Sequence, residues 1–314
     1  MLKKIGRGTK PRRQLIAGLA AEKVLLSTPL LNWYLDHGLI VTRVYEAIEY
    51  ERQTCFGSLV DDVTSARRDA ICRGDKTTAA KNKLIANAAF GSACRNKNKD
   101  RSTLYGNERR KNIHVNNSRF RRSTRLGEDC FEVMLSKPCI AHDVAKQIPF
   151  FVLQYAKLRM LQFYFDCIDR YVDRADFELS HTNTDSLYMA LSRISDRHPL
   201  EDIIKPEYRA EFEDMLYGHC SDDYDASTSY FPRECCEKHK QHDRSTPGLF
   251  KLEAQGTSYV ALAAKCNVID QKVTNKGVKK LVDSASFKKV LTDQQSVSAT
   301  VTGTCVNKGS VQSY

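Results

Sequence analysis

A chain of 314 residues is long enough to bury a sizeable core, as one large domain or as two to three subdomains. Its formal charge of +11 and pI near 9.1 point to an anionic partner, and eleven Lys/Arg against two Asp/Glu from Arg95 to Arg125 place +9 in that one segment. No run approaches the roughly 20 apolar residues of a membrane span, and eleven cysteines without framework spacing or a secretory leader argue against a disulfide scaffold and for reduced thiols in an intracellular setting.

The basic opening MLKKIGRGTKPRR followed by LIAGLAAEKVLL imitates a signal peptide, but Glu22 and Lys23 interrupt an apolar run already too short. PLLNWYLDHG predicts a helix closed by Gly38, and Leu39 to Tyr45 a β-branched strand. A helix around Leu59 to Cys72 carries Arg67 and Arg68, Gly74-Asp75 forms a break, and a second helix runs from about Thr78 to Gly91; together they read as an antiparallel helical hairpin. Residues 93–138 are polar, basic and turn-rich, and end in the strand-like CFEVMLS. After Pro149, at a helix N-terminus, Phe151, Tyr155, Leu158, Phe165 and Ile168 share one stripe of a core helix.

FELSHTNTDSLYMALS alternates on either side of a polar turn, which predicts a β-hairpin with Asn183 and Asp185 at its tip and Leu187, Met189 and Leu191 on one face. GLFKLEAQGTSYVALAAK, Gly248 to Lys265, reads as two strand-like runs around Gly256, and the tail from Asp270 is rich in Lys, Ser, Thr and Val. No internal repeat is visible, and the fold class is α+β.

Two of these stretches could carry chemistry. Lys83, Asn87 and Phe90 in KLIANAAFG fall at i, i+4 and i+7 on one helical face, and would offer a phosphate a cation, an amide and an aromatic plate. An amphipathic helix with a Gly C-cap would look the same. Asp and Asn also populate ordinary turns by bonding their own backbone, so the hairpin tip is not diagnostic by itself. CCEKHKQH offers Cys235, Cys236, His239 and His242 as a zinc-like set, but adjacent cysteines make poor joint ligands in a small tetrahedral site, so no zinc site is expected.

Taken in order, KLIANAAFG, HTNTDS and the run ending in Lys265-Cys266-Asn267 resemble the C-terminal polymerase region of family B DNA polymerases, above all the protein-primed type of viruses and self-synthesising mobile elements. The family's motif B, K-x-x-x-N-S-x-Y-G, is matched with Ala88 for Ser and Phe90 for Tyr. Its motif C, Y-x-D-T-D-S, is matched with His181 for Tyr and Asn183 for the first Asp. In its K-x-Y element Lys265 is present and Asn267 replaces Tyr. The flanking FVLQYAKLRMLQFYFDCIDRYV and PGLFKLEAQG are similar to the same subfamily, so the likeness covers about Leu25 to the C-terminus.

The resemblance implies a right-hand polymerase fragment: residues 1–57 an upstream palm or insertion segment, 58–92 the fingers helical hairpin, 93–140 a basic insertion, 141–269 the palm with the motif C hairpin, and 270–314 the start of a thumb. It implies two Mg²⁺ or Mn²⁺ ions, since hard cations bridging a primer 3′-hydroxyl and nucleotide phosphates require carboxylate oxygens. Asp185 would be the metal ligand, with Asn183 beside it where a unit charge has been lost. Lys83 would neutralise the triphosphate, Arg67 or Arg68 would be a second clamp, Asn87 and Phe90 would complete the nucleotide site, and Lys265 would contact the primer-terminal phosphate.

In the insertion after motif B, where the family places a hairpin that helps enclose DNA, Arg95, Lys97, Lys99, Arg101, Arg109, Arg110, Arg121 and Arg122 would track the backbone. The implied partners are a DNA primer-template, deoxynucleoside triphosphates and a terminal priming protein, with no membrane, in a nuclear or viral replication setting. Two features depart from the family. Nothing before Lys83 fits its motif A, D-x-x-S-L-Y-P, and DASTSYFP at Asp225 to Pro232 imitates that pattern only after motif C. No exonuclease carboxylate motif is visible either. The chain therefore reads as the C-terminal portion of a polymerase, or as a catalytically dead remnant that only binds nucleic acid. A reverse transcriptase is disfavoured, because its hairpin carries adjacent aspartates and Ser186 follows Asp185.

Overall fold

The computed structural model describes residues 21–51, 53–54, 56–97, 101–141, 143–218, 220–221, 229–263, 265–275, 282–298, 304–307 and 310–313. Two compact units emerge, residues 1–57 with 90–158 and residues 58–89 with 159–314. Helices are mixed with small antiparallel sheets, an α+β organisation.

In the first unit, α1 (Thr28–Asp36) starts after the extended Ser27 with Pro29 in its first turn and buries Leu30 and Trp33. It ends at Gly38, whose φ of +85° favours glycine as expected. The strand expected over Leu39–Tyr45 does not form; residues 39–51 are irregular and exposed, with Ile40 and Val44 largely in solvent. β-Branched residues favour a strand only where a neighbouring strand takes up their backbone groups and one face.

The basic segment is a folded element rather than a loop. β1 (Arg101–Gly106), α4 (Glu108–Val115), β2 (Phe120–Gly127) and β3 (Cys130–Ser136) build a sheet of order β1-β3-β2. Asn107 caps α4 by accepting the Arg110 N–H at 3.1 Å, and Asp129 accepts the Glu108 N–H at 2.9 Å. Val133 and Leu135 are buried on the face that α4 covers. α5 begins as Gln147–Gln162, with Pro149 in its first turn as the sequence implied.

α2 (Gly57–Cys72) and α3 (Lys76–Ala93), of which the second unit holds residues 58–89, stand where the sequence places them, separated by Gly74 at φ +73°. The carboxylate of Asp75 caps α3 by accepting the Thr78 N–H at 3.0 Å. These helices bury only Ala70 and Asn82, so the apolar interface expected of a packed helical hairpin is absent among the described residues.

The helix from Gln147 passes into a π-helical stretch, Phe163–Ile168, and ends in α6 (Asp169–Tyr171). Phe163, Cys167, Ile168 and Tyr171, at i, i+4, i+5 and i+8, face the core; of the expected stripe Leu158 and Ile168 are buried, while Tyr155 and Phe165 are exposed. Val172, Phe177, Leu200, Ile203, Ile204, Phe212, Leu216 and Phe231 complete that core.

The hairpin of β4 (Phe177–Asn183) and β5 (Ser186–Leu191) forms as predicted, with Leu187, Met189 and Leu191 packed against the core. The following wall consists of short turns at Glu201–Ile203 and Pro206–Tyr208, α7 (Arg209–Glu213) and a π turn at Asp214–Gly218; α8 (Glu237–Asp243) comes later.

Only the second strand-like run of GLFKLEAQGTSYVALAAK is a strand. β6 (Tyr259–Ala263) pairs with β7 (Cys266–Ile269), which pairs with β8 (Lys272–Asn275). Gly256 lies against the Asp270 carboxylate, which accepts the Ser258 N–H at 2.8 Å, and a Cβ at Gly256 would occupy that carboxylate's place. α9 (Ser284–Asp293) is capped by Asp283, and β9 (Thr304–Asn307) pairs with β10 (Ser310–Ser313).

His198 makes this core acid-sensitive. Its ring lies edge-on to Phe212 and Phe231, and its Nδ1 accepts the Leu200 N–H at 3.4 Å, which requires an unprotonated nitrogen. Burial drives its pKa from 6.5 down to about 4. The unfolded chain therefore binds this proton first as pH falls, and the neutral ring's contribution is complete above about pH 6.5. Stability is expected to fall by about 3 kcal/mol as pH drops through 6.5 to about 4. Urea unfolding across that range should show a shallower decline in His198→Gln; an unchanged slope would place the acid-sensitive group elsewhere.

Candidate functional site

The hairpin tip is built from strand pairing upward. Asn183 pairs with Ser186, and the two-residue turn between them holds Thr184 at φ +57°. The Asp185 N–H donates to the Asn183 carbonyl at 2.7 Å, and the Thr184 hydroxyl approaches the Asn183 side-chain oxygen at 3.5 Å. Asp185 is exposed, and among the described residues its carboxylate has no ion-pair or hydrogen-bond partner. A strand rooted in an aromatic core thus carries a solvent-facing carboxylate at a defined point.

His181, two residues before Asn183, joins this hairpin to β6. Its ring stacks on Tyr188 at 4.2 Å, and the Tyr259 hydroxyl donates to its Nδ1 at 2.5 Å. Burial lowers the His181 pKa, while burial and the neighbouring Tyr188 push Tyr259 up to about 12. Both shifts favour a neutral imidazole accepting from a protonated phenol. At the far end of β6, Lys265 is exposed in the β6–β7 turn at φ +59°. Asn267, where the resembled family has Tyr, is buried to 1% exposure with neither side-chain polar atom hydrogen-bonded.

α3 does present Lys83 and Asn87 together on exposed surface, with Phe90 half-buried further along the same helix. Among the described residues no hydrogen bond or ion pair links Lys83 or Asn87 to the hairpin. The adjacent arginines of α2 have different surroundings. Arg68 donates to the Thr246 hydroxyl at 2.8 Å, whereas Arg67 is half-buried and makes no side-chain hydrogen bond or ion pair among the described residues.

In the basic unit, strand register separates the two faces of the sheet. Tyr105 pairs with Glu132 and Arg122 with Met134, so they lie opposite the face occupied by Val133, Leu135 and α4. Tyr105 is 63% exposed, Arg122 is exposed, and Thr103 and Thr124 share their face. Arg109 and Arg110 are exposed on α4, and Arg121 bonds the Ser136 hydroxyl at 2.6 Å. Arg95 is exposed, and Lys97 pairs with Asp143, which spends part of its charge inside the fold. Lys99 lies outside the described residues, as does Asp225; Arg101 opens β1.

The zinc-like reading of CCEKHKQH also changes. His242 contacts Asp243 at 3.1 Å, while Cys220, absent from that reading, joins Cys235, Cys236 and His239, their ligand atoms all within 4.8 Å of one another. Nothing in the spacing of Cys220 announces this. Comparison with known proteins finds no matching family model, no matching curated protein and no matching solved structure. No described helix is long and apolar enough to cross a membrane.

Proposed function

We propose that the chain is the C-terminal portion of a family B-type DNA-directed DNA polymerase that obtains part of its metal-binding carboxylate set from a segment outside these residues. The observation that carries this reading is the motif C-like hairpin, whose core-anchored strands leave Asp185 exposed and unpaired at a two-residue turn. The ordered sequence likeness of KLIANAAFG, HTNTDS and the Lys265 turn supports it.

Two divalent ions would activate the primer 3′-hydroxyl and stabilise the leaving pyrophosphate. Asp185 would hold metal, Lys83 and Arg67 would neutralise nucleotide phosphates, Phe90 would stack on the base pair, and Lys265 would meet the primer backbone. The right-hand fingers, palm and thumb arrangement belongs to this proposal.

Asn183 weakens the site, because an amide oxygen replaces a full charge. At an effective dielectric near 20 a charge pair about 4 Å apart interacts by about 4 kcal/mol before solvation offsets it. That substitution favours a second reading, a non-catalytic remnant that binds DNA. Primer extension distinguishes them. The isolated chain with Mg²⁺ is expected to show no measurable synthesis, with or without Asn183→Asp. A supplied upstream segment bearing D-x-x-S-L-Y-P should restore activity, raised further by Asn183→Asp and reduced at least about a hundred-fold by Asp185→Ala. Failure of every supplied segment to restore synthesis would favour the remnant. Robust synthesis by the unmodified chain would place the missing carboxylate within it, Asp225 foremost.

A further inference from the structure

Two chain segments of the second unit meet at one point for which polymerase chemistry has no use. Cys220 follows the π turn of Asp214–Gly218, Cys235 and Cys236 lead into α8, and His239 lies in the first turn of that helix. The Cys235 Sγ lies 3.3 Å from the His239 Nδ1 and the Cys220 Sγ lies 3.8 Å from it. A zinc tetrahedron with Zn–S of about 2.3 Å and Zn–N of about 2.0 Å has S···N edges of about 3.5 Å and S···S edges of about 3.8 Å. The observed separations straddle the first value, and the outer limit of 4.8 Å for all four ligand atoms leaves only a small contraction to reach the second. The three cysteines are thiols, and the adjacent pair, expected to be a poor joint donor, directs both sulfurs to the same point.

The surrounding fold holds these segments in place without help from the sulfurs. Arg233 grips Asp243 through Nε at 2.7 Å and through a terminal nitrogen at 3.0 Å, and its other terminal nitrogen donates to the Ser221 carbonyl at 2.7 Å. One buried guanidinium therefore ties the residue after Cys220 to the end of α8, and its own backbone leads directly to Cys235 and Cys236. The Glu234 N–H donates to the Leu216 carbonyl at 2.8 Å, fixing the same two segments a second time. His239 is 6% exposed, so its ring has little freedom to leave the cluster.

We propose that Cys220, Cys235, Cys236 and His239 form a structural Zn²⁺ site of Cys₃His type, which fastens the segment after the hairpin's supporting wall to α8. On binding, the three thiols release their protons to solvent and the His239 Nδ1 donates its lone pair, so a closed four-coordinate site with no position for substrate results. This inference does not depend on the polymerase reading.

The test uses the full chain purified under reducing conditions without chelator. Elemental analysis is expected to find one zinc per chain. Cobalt(II) added to the metal-stripped protein should give thiolate charge-transfer absorption and the strong visible bands of a tetrahedral ion. Cys220→Ser and Cys236→Ser should each weaken cobalt binding at least ten-fold, whereas Cys130→Ser, at an exposed thiol outside the cluster, should leave it unchanged. Because the cobalt spectrum is read on the unaltered sequence, misfolding of a variant cannot decide the outcome. A chain that purifies without zinc and gives no thiolate–cobalt band would overturn the proposal. So would undiminished cobalt affinity in both cluster variants, or a Cys235–Cys236 disulfide in the reduced preparation.

Discussion

Primer-template DNA is expected to bind this chain with an affinity that falls by about 250- to 1,000-fold between about 50 and 200 mM salt. Each neutralised phosphate releases condensed counterion, and about five contacts give a log–log slope of −4 to −5. Five is fewer than the eleven cations between Arg95 and Arg125, because the fold commits some of them: Lys97 pairs with Asp143 and Lys111 with Glu108. Arg122 remains on the same sheet face as exposed Tyr105, with β3 between them, a cation and an aromatic plate on one antiparallel surface.

Arg122→Ala should lower the slope by about one, while Tyr105→Ala should weaken binding by about 1–3 kcal/mol and leave the slope unchanged. Fluorescence anisotropy over a salt series separates these effects. Binding that ignores salt, or that survives both substitutions intact, would remove the sheet from the interface.

Asp243→Ala is expected to destabilise the second unit by about 3–5 kcal/mol. Asp243 and Arg233 are 2% and 5% exposed, and their side chains meet in a two-pronged contact at 2.7 and 3.0 Å. The pair holds the Asp243 carboxyl below its ordinary range against the opposing cost of burial. Taking the carboxylate away leaves a guanidinium in a site with little water, and the loss is comparable with a large part of a typical domain's stability.

An apolar replacement of both members, Arg233→Met with Asp243→Leu, should recover much of the loss, because neither charge then needs solvation. Hydrogen-exchange protection of residues 229–243 is the measurement. Equal loss in the single and double variants would mean that the geometry of the clasp, rather than the stranded charge, sets the cost.

Elements whose signals are local are legible in the chain before it folds. Alternation around a polar turn specified the β4–β5 hairpin and placed Asp185 at its tip, because side chains in strands repeat every second residue and two-residue turns favour such sequences. Gly38 and Gly74 marked breaks that both adopt positive φ. The spacing of Lys83 and Asn87 on α3 followed from helical period alone.

Tertiary structure decided the rest. A β-branched run at Leu39–Tyr45 found no neighbouring strand and stayed irregular, and the buried face of the long helix runs through Phe163, Cys167, Ile168 and Tyr171 rather than through Tyr155 and Phe165. The basic segment became a sheet because β1 pairs with β3 across the intervening helix, a contact that no short window contains. Cys220 reached Cys235, Cys236 and His239 through the Arg233–Asp243 clasp. Ligand spacing along a chain reveals a cluster only where one local element supplies it, as CCEKHKQH supplies Cys235, Cys236 and His239; Cys220 comes from a second segment, held there by the buried Arg233–Asp243 pair.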